Sequence, residues 1–164
     1  MFFAIRPVSV ETVLQPIIND AKARAAENGI RFVAGAIDPA IIVGADTGRL
    51  PAAFQNIIDN ALGYTLPGGS IDIRVGREGD RAVVTVSDTG IGIPEKEKDK
   101  IFNKFFRAYN AQKLIATGNG LGLYISKMIV AGHRGDISFQ SKEGEGTMFT
   151  IVLPLAESAP TSSV

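Results

Sequence analysis

The sequence contains no cysteine and only one histidine, His133. Without cysteine the chain has no disulfide, no thiolate metal site and no cysteine nucleophile, which suits a reducing compartment. A single histidine cannot build a histidine-rich metal site, and it leaves little freedom for a Ser-His-Asp triad. The chain therefore has neither a cysteine nucleophile nor a metal site built from thiolates or several histidines.

The chain also lacks an excess of positive charge and any long apolar run. Lys plus Arg and Asp plus Glu each total 17, so no global positive field gathers nucleic acid, and we expect no such partner. No apolar run approaches the roughly 20 residues that span a bilayer. The opening MFFAIRPVSV has no basic start, unlike a signal peptide. We therefore expect a cytoplasmic domain without direct membrane contact, whose parent protein could still be membrane-anchored.

The sequence does contain enough periodic apolar residues for one domain. Of the 164 residues, 45% are hydrophobic, which suits a single substantial core. Helical spacing predicts helices over residues 10–25, 50–62 and 120–131, and strand patterns occur at residues 30–37, 40–45, 71–75, 81–88, 136–141 and 147–155. We predict an α+β sandwich in which three helices cover one face of a mixed, mostly antiparallel sheet. The predicted domain spans residues 1–155, and residues 156–164 form a disordered tail.

Two Asp-Thr-Gly tripeptides, beginning at Asp46 and Asp88, raise the question of an aspartic protease. Such an enzyme needs two equivalent loops whose carboxylates share a proton. Asp46 is instead followed by a predicted helix with a clear apolar face, and the sequences around the two tripeptides do not repeat. We therefore set the protease interpretation aside.

The second predicted helix carries a polar stripe formed by Asn56, Asn60 and Gly63, flanked by Tyr64. Asparagine is unfavourable inside helices, so two of them on one stripe suggest a function. A carboxamide oxygen can ligate Mg²⁺. The stripe is equally consistent with solvated asparagines on an exposed helix face.

The third predicted helix begins in a glycine-rich segment that contains Gly118, Gly120 and Gly122. Backbone N–H groups and the helix dipole can hold an anion at such a start. The segment is neither a Walker loop nor a Rossmann turn, because no Gly-Lys-Ser/Thr follows and no strand precedes it. The alternative interpretation is a flexible loop.

Asp88 ends a predicted strand, and Gly90 and Gly92 follow it. A carboxylate there can accept a hydrogen bond from the exocyclic amine of adenine, although the same residues also suit an ordinary turn. Thr147 has a similar ambiguity. It either enters the last strand from a hairpin turn or supplies a hydroxyl group to a pocket floor.

Residues 101–109, IFNKFFRAY, form an amphipathic stretch with apolar residues at helical spacing. A short amphipathic element inside a long, glycine-flanked loop is typical of a lid that closes on a ligand. Arg107 is then a candidate cation for phosphate oxygens. Alternatively, it is a surface arginine beside locally packed phenylalanines.

Taken in order, these blocks resemble the ATP-binding catalytic domain of sensor histidine kinases, in the superfamily shared with gyrase and MutL. NIIDNALGYT resembles the N box, DTGIGI the first glycine box, IFNKFFR the F box, GNGLGLYISK the second glycine box and GEGTMFTIVLPL the closing strand. The resemblance covers about residues 8–155. The F box favours the histidine kinase branch over gyrase-like ATPases.

The resemblance implies ATP and Mg²⁺ as cofactors and assigns a role to each block. Asn60 would ligate Mg²⁺ and, with Arg107, serve catalysis, while Asn56 would line the phosphate side. Tyr64 would stack along the nucleotide, and Asp88 would accept from the adenine amine. The remaining predicted contacts are Thr147 through water, Gly90 and Gly92 at the adenine floor, and Gly118, Gly120, Leu121 and Gly122 around the phosphates.

The resemblance also implies that the γ-phosphoryl group passes to a histidine on a separate dimerisation domain, with a response regulator downstream. We expect this chain to be a catalytic fragment that cannot autophosphorylate alone, and His133 to be structural. The sequence departs from the family pattern at Gly63, where Lys or Arg is usual. The alternatives are a stand-alone anti-sigma-type serine kinase and a pseudokinase that only binds nucleotide.

Overall fold

The computed structural model describes residues 2–115 and 120–156, which contain four α-helices and seven β-strands. The helices are α1 (Val10–Glu27), α2 (Leu50–Tyr64), α3 (Tyr109–Leu114) and α4 (Gly122–Gly132). The strands are β1 (Arg6–Ser9), β2 (Arg31–Ala34), β3 (Ile42–Ala45), β4 (Ser70–Glu78), β5 (Arg81–Asp88), β6 (Asp136–Lys142) and β7 (Gly146–Pro154).

The main sheet has five strands in the order β2-β4-β5-β7-β6. Only β2 and β4 pair in parallel, and the other three pairs are antiparallel. The predicted mixed, mostly antiparallel sheet is therefore confirmed. In the register of β5 and β7, Asp88 lies opposite Thr147, which brings these two predicted site residues to the same end of the sheet.

The helices cover one face of this sheet, as predicted. Along β4, Ile71 and Ile73 are buried while Asp72 and Arg74 between and beyond them are more accessible, so the strand has one core face. The core also contains the fully buried Phe54 of α2. Burial of these apolar faces is the main favourable contribution to folding.

Helices α2 and α4 pack in antiparallel directions. The Ser126 hydroxyl of α4 donates to the Ala53 carbonyl oxygen of α2 at 3.0 Å. Towards the start of α4, the Asn56 amide donates to the Gly122 carbonyl oxygen at 3.2 Å. This pairing places the later half of α2 beside the first turn of α4.

Strand β1 was not expected from the sequence, because Arg6 and Pro7 interrupt its apolar pattern. It pairs with β3 in a separate two-stranded sheet. Proline is tolerated on such an edge strand. The 40–45 strand prediction is thus correct in type, but this strand lies outside the main sheet.

The amphipathic segment 101–109 is not one helical element. A 3-10 turn at Glu95–Lys100 precedes it, and α3 begins only at Tyr109. Phe105 adopts a φ of 66°, and its N–H donates to the Gly120 carbonyl oxygen. An α-helix requires a φ of about −63° at each residue, so the positive φ of Phe105 interrupts any helix at this position. Of the predicted tail, residues 157–164 lie outside the described ranges.

No helix within residues 2–115 and 120–156 combines the length and the apolar character needed to cross a bilayer.

Candidate functional site

A cavity of about 480 Å³ opens between α2, the end of β5, the segment 101–111 and the start of α4. Eight of the predicted site residues line it, and they come from five separate parts of the chain. They are Asn60, Tyr64, Asp88, Gly92, Arg107, Gly120, Gly122 and Thr147.

Four predicted residues do not line the cavity in the described structure. Asn56 lies one turn before Asn60 and bonds to the backbone of Gly122. Gly90 is buried, and Leu121 forms the N-cap of α4. Gly118 lies outside the described residues.

Asp88 presents a carboxylate at the end of β5. Its Oδ1 accepts hydrogen bonds from the Gly90 N–H at 2.8 Å and the Thr147 N–H at 3.3 Å. No described residue donates to Oδ2, which leaves an acceptor for a ligand. Burial raises the pKa of Asp88 to about 6, against the lowering effect of the two backbone donors.

The Thr147 hydroxyl is oriented by Ser141. The Ser141 Oγ donates to the Gly146 carbonyl oxygen at 2.9 Å and accepts from the Ile93 N–H at 2.8 Å. Thr147 Oγ1 lies 2.8 Å from the Ser141 Oγ. Because the single Ser141 proton is already used, Thr147 is the donor in that contact, and its oxygen keeps acceptor capacity beside Asp88.

Two of the predicted glycines are required by close backbone approach. A Cβ on Gly90 would lie 2.4 Å from the Tyr64 carbonyl oxygen. Gly92 has a φ of 68°, and a Cβ there would lie 2.1 Å from the Lys142 carbonyl oxygen. Residues 89–92, which form the cavity wall after Asp88, therefore pack directly against the backbone of Tyr64 and of Lys142.

Of the polar stripe on α2, only Asn60 lines the cavity. The carboxamide of Asn60 makes no hydrogen bond to any residue in the described part of the chain. Gly63 lies three residues further on and faces residues 101–115, which we call the lid. A Cβ on Gly63 would lie 3.1 Å from Ile115 Cδ1. Position 63, which usually carries Lys or Arg in the family pattern, is thus adjacent to the apolar side chain of Ile115.

Arg107 lines the cavity, but its guanidinium also donates to the carbonyl oxygens of Ala111 and Ile115 at the end of α3. The other two lid cations lie over aromatic rings. Lys113 is 4.3 Å from the Tyr109 ring centroid and Lys104 is 5.4 Å from that of Phe105. Neither of these lysines lines the cavity.

Sequence reasoning missed Asn110, which also lines the cavity. Its amide donates to the Gly92 carbonyl oxygen at 2.8 Å and so connects α3 to the wall after Asp88. Its Oδ1 is buried without a partner in the described ranges. No periodic or motif signal marks this residue, because its position depends on how the lid folds back.

A family model described as "Histidine kinase-, DNA gyrase B-, and HSP90-like ATPase" matches residues 45–157. The chain belongs to this family. The match begins at the end of β3 and includes every element that lines the cavity.

Two relatives of this ATPase domain are named histidine kinases. Over 152 residues it is 37% identical to the circadian input-output histidine kinase CikA of Synechococcus elongatus, covering 92% of this chain and 20% of CikA. It is 38% identical over 133 residues to the sensor histidine kinase WalK of Bacillus subtilis, covering 80% of this chain and 22% of WalK. The ATPase domain therefore spans about a fifth of the length of these relatives.

The fold of the ATPase domain is similar to that of full-length ShkA solved in complex with AMPPNP. The TM-score is 0.79 at 27% identity, and the similarity covers 95% of this chain and 32% of ShkA. Together these comparisons confirm the predicted family, an ATP-binding catalytic domain of the histidine kinase type.

The raised pKa of Asp88 predicts that the ionised carboxylate destabilises the folded state of this ATPase domain at neutral pH. The folded state holds the Asp88 proton more tightly than the unfolded state, so this group's stabilising contribution is present below pH 3.8 and is lost as pH rises to about 6. The loss amounts to about 3 kcal/mol at most. Asp88→Asn should raise the free energy of unfolding at pH 7.5 by about 1–3 kcal/mol and much less at pH 4.

Urea denaturation at the two pH values measures this difference. Asp80→Asn, the same chemical change in an exposed turn, is the matched control and should have little effect at either pH. If Asp88→Asn is less stable than the wild type at pH 7.5, the Asp88 charge does not destabilise the folded state and the prediction is wrong.

Proposed function

We propose that this domain binds Mg²⁺-ATP in the cavity and donates the γ-phosphoryl group to a histidine on a separate dimerisation domain of a longer cytoplasmic kinase region. The observation that carries the proposal is the convergence of Asp88, Asn60, Arg107 and Gly122 on one cavity. An acceptor for a base, a metal ligand, a cation and a helix start are the groups that an adenine nucleotide requires.

Asp88 and Thr147 would recognise the base. The adenine amine donates hydrogen bonds, and the open Oδ2 of Asp88 accepts them. A 6-oxo purine would instead direct a lone pair towards the carboxylate, which the cavity disfavours. Thr147 Oγ1, whose proton is directed to Ser141, adds a second acceptor either directly or through water. Tyr64 lines the same cavity and would stack along the nucleotide.

The phosphates would lie towards α4 and Asn60. The backbone around Gly120 and Gly122 is at the start of an 11-residue helix, where the dipole favours negative charge. Arg107 would neutralise phosphate oxygens from its place in the cavity lining, where its Nη2 also donates to lid carbonyl oxygens. Gly118, which lies outside the described residues, stays a predicted phosphate contact.

The residues present fit a magnesium ion that is held mainly by the nucleotide. Within the described ranges, no group of three or more histidines and carboxylates forms a metal site. The unbonded carboxamide of Asn60 can supply one oxygen ligand, and Mg²⁺ commonly takes its remaining ligands from phosphates and water. When bound, the ion would neutralise charge on the transferring phosphoryl group.

The phosphoacceptor must come from elsewhere. His133 is buried, its Nδ1 donates to the Ile129 carbonyl oxygen at 2.7 Å, and its Nε2 accepts from the Asp46 N–H at 2.9 Å. Both ring nitrogens are thus occupied, so His133 is unsuited to accept a phosphoryl group. We propose that the domain alone cannot autophosphorylate, and that a response regulator receives the phosphoryl group from the dimerisation domain.

A nucleotide-binding module without transfer activity is the second candidate. It is favoured by Gly63, which faces Ile115 in place of the cation usual at that position. The anti-sigma-type serine kinase has no such supporting observation, and the relatives described above carry the names of histidine kinases.

Titration calorimetry with ADP and Mg²⁺ tests the binding half of the proposal. We expect the wild-type domain to bind and Asp88→Asn to bind at least tenfold more weakly, because an amide replaces an acceptor-only carboxylate. Asp80→Asn should bind like the wild type. Absence of binding heat from folded wild-type protein would refute nucleotide binding in this cavity.

Transfer is tested by mixing the domain with the separately made histidine-bearing domain of its parent kinase and γ-labelled ATP. Label should appear on the partner only when Mg²⁺ is present. Asn60→Ala should abolish transfer, whereas Asn19→Ala on the exposed surface of α1 should not. If the wild type binds ADP but transfers nothing, the binding-module alternative is correct.

A further inference from the structure

We propose that Phe3 is a positioning residue for the nucleotide cavity, acting through α4. Residues 2–5, which we call the N-terminal arm, dock where α2 begins and α4 ends. Docking of the arm and binding of nucleotide then favour each other. This inference rests on the nucleotide binding proposed above.

The Phe3 ring packs against the last turn of α4. A Cβ on Gly132 would lie 2.2 Å from the ring, so only glycine allows this approach. The ring meets His133 edge to face, with centroids 5.2 Å apart and planes at 78°. The Arg49 guanidinium lies 5.0 Å above the ring centroid. Aromatic, cationic and backbone groups therefore contact one side chain of the arm, which stays partly exposed.

Asp46, the first residue of the earlier Asp-Thr-Gly tripeptide, joins the arm to both helices. Its Oδ2 accepts from the Ala4 N–H at 3.0 Å. Its Oδ1 accepts from the Gly48 N–H at 2.9 Å and the Arg49 N–H at 3.2 Å, at the start of α2. The Ala4 hydrogen bond is the largest of the interactions that lower the pKa of Asp46.

The same residue contacts the end of α4. The Asp46 N–H donates to His133 Nε2, and His133 in turn donates to the Ile129 carbonyl oxygen. The Arg49 guanidinium also donates to the Phe2 carbonyl oxygen. Arm, first turn of α2 and last turn of α4 thus share one network of hydrogen bonds.

The other ends of these two helices carry the nucleotide site. Gly132 and Gly122 are ten residues apart on α4, or about 15 Å along the axis. There the Asn56 amide donates to the Gly122 carbonyl oxygen, and both Asn60 and Gly122 line the cavity. A change in the spacing of α2 and α4 at the arm therefore reaches the groups proposed to hold phosphate.

The arm is suited to two states because little of it is buried. The side chain of Phe2 is 83% exposed and that of Ile5 is 50% exposed, so Phe3 is the main anchor. Segments with few buried contacts open locally at low free-energy cost. If opening weakens nucleotide binding, linkage requires nucleotide to stabilise the docked arm by the same factor.

The test compares Phe3→Ala with Phe2→Ala, a matched change on the exposed side of the arm. We expect Phe3→Ala to weaken ADP binding about 5-fold or more, and Phe2→Ala to leave it unchanged. Phe3→Tyr, which keeps the ring, should restore most of the affinity. Hydrogen exchange of residues 120–124 should become faster in Phe3→Ala alone, and ADP should slow exchange of residues 2–6 in the wild type.

Gly132→Ala tests the same contact from the helix side. Alanine is the better helix former, so α4 itself should not suffer, but the new Cβ must displace the Phe3 ring. We expect an affinity loss like that of Phe3→Ala, and no additional loss when the two changes are combined, because they break one contact.

The outcomes separate this inference from the proposed function. If the wild type binds no ADP, nucleotide binding fails, and the coupling inference fails with it even if exchange shows a docked arm. If the wild type binds ADP and Phe3→Ala binds equally well with unchanged exchange at residues 120–124, the arm is a passive contact and only the inference is overturned.

Discussion

The antiparallel packing of α2 against α4 is the constraint on which the rest of the structure depends. Two hydrogen bonds fix it, from Ser126 to the Ala53 backbone and from Asn56 to the Gly122 backbone. The pairing brings the asparagine stripe of one helix beside the glycine-rich start of another, far away in the chain. The cavity is a consequence, because β5 and the lid segment close around a gap whose two sides this helix pair already defines.

Asp88 shows how such a cavity is held ready for a ligand. Its carboxylate is satisfied on Oδ1 by two backbone donors, while burial still raises its pKa to about 6. The free domain thus retains an unfavourable charge that an adenine amine would stabilise. A group of this kind, tolerated in the folded state at a cost in stability, is a frequent mark of a binding or catalytic position.

The sequence was informative where periodicity or chain order carried the signal. The faces of α1 and α2, the alternation of β4 and β5, and the ordered glycine and asparagine blocks were all predicted, since each is a local pattern. Strand β1, Asn110 and the contacts of Asp46 with the arm and His133 were not predicted. Each depends on contacts between distant segments: Pro7 conceals an edge strand, Asn110 matters only because the lid folds back, and Asp46 acquires its partners from the arm and His133. The broken element at residues 101–109 follows from Phe105, whose left-handed conformation no pattern indicates.

The central claim is that Asp88 reads the amine of adenine in this cavity. The most direct measurement compares the dissociation constants of ADP and inosine diphosphate for the wild-type domain under identical Mg²⁺ conditions. The two ligands share ribose and phosphates. They differ at the purine 6-position, where an oxygen replaces the amine, and at N1, which gains a proton. The account predicts that ADP binds at least tenfold more tightly, because the inosine oxygen faces a carboxylate without donating to it. Equal affinity for the two nucleotides would contradict it.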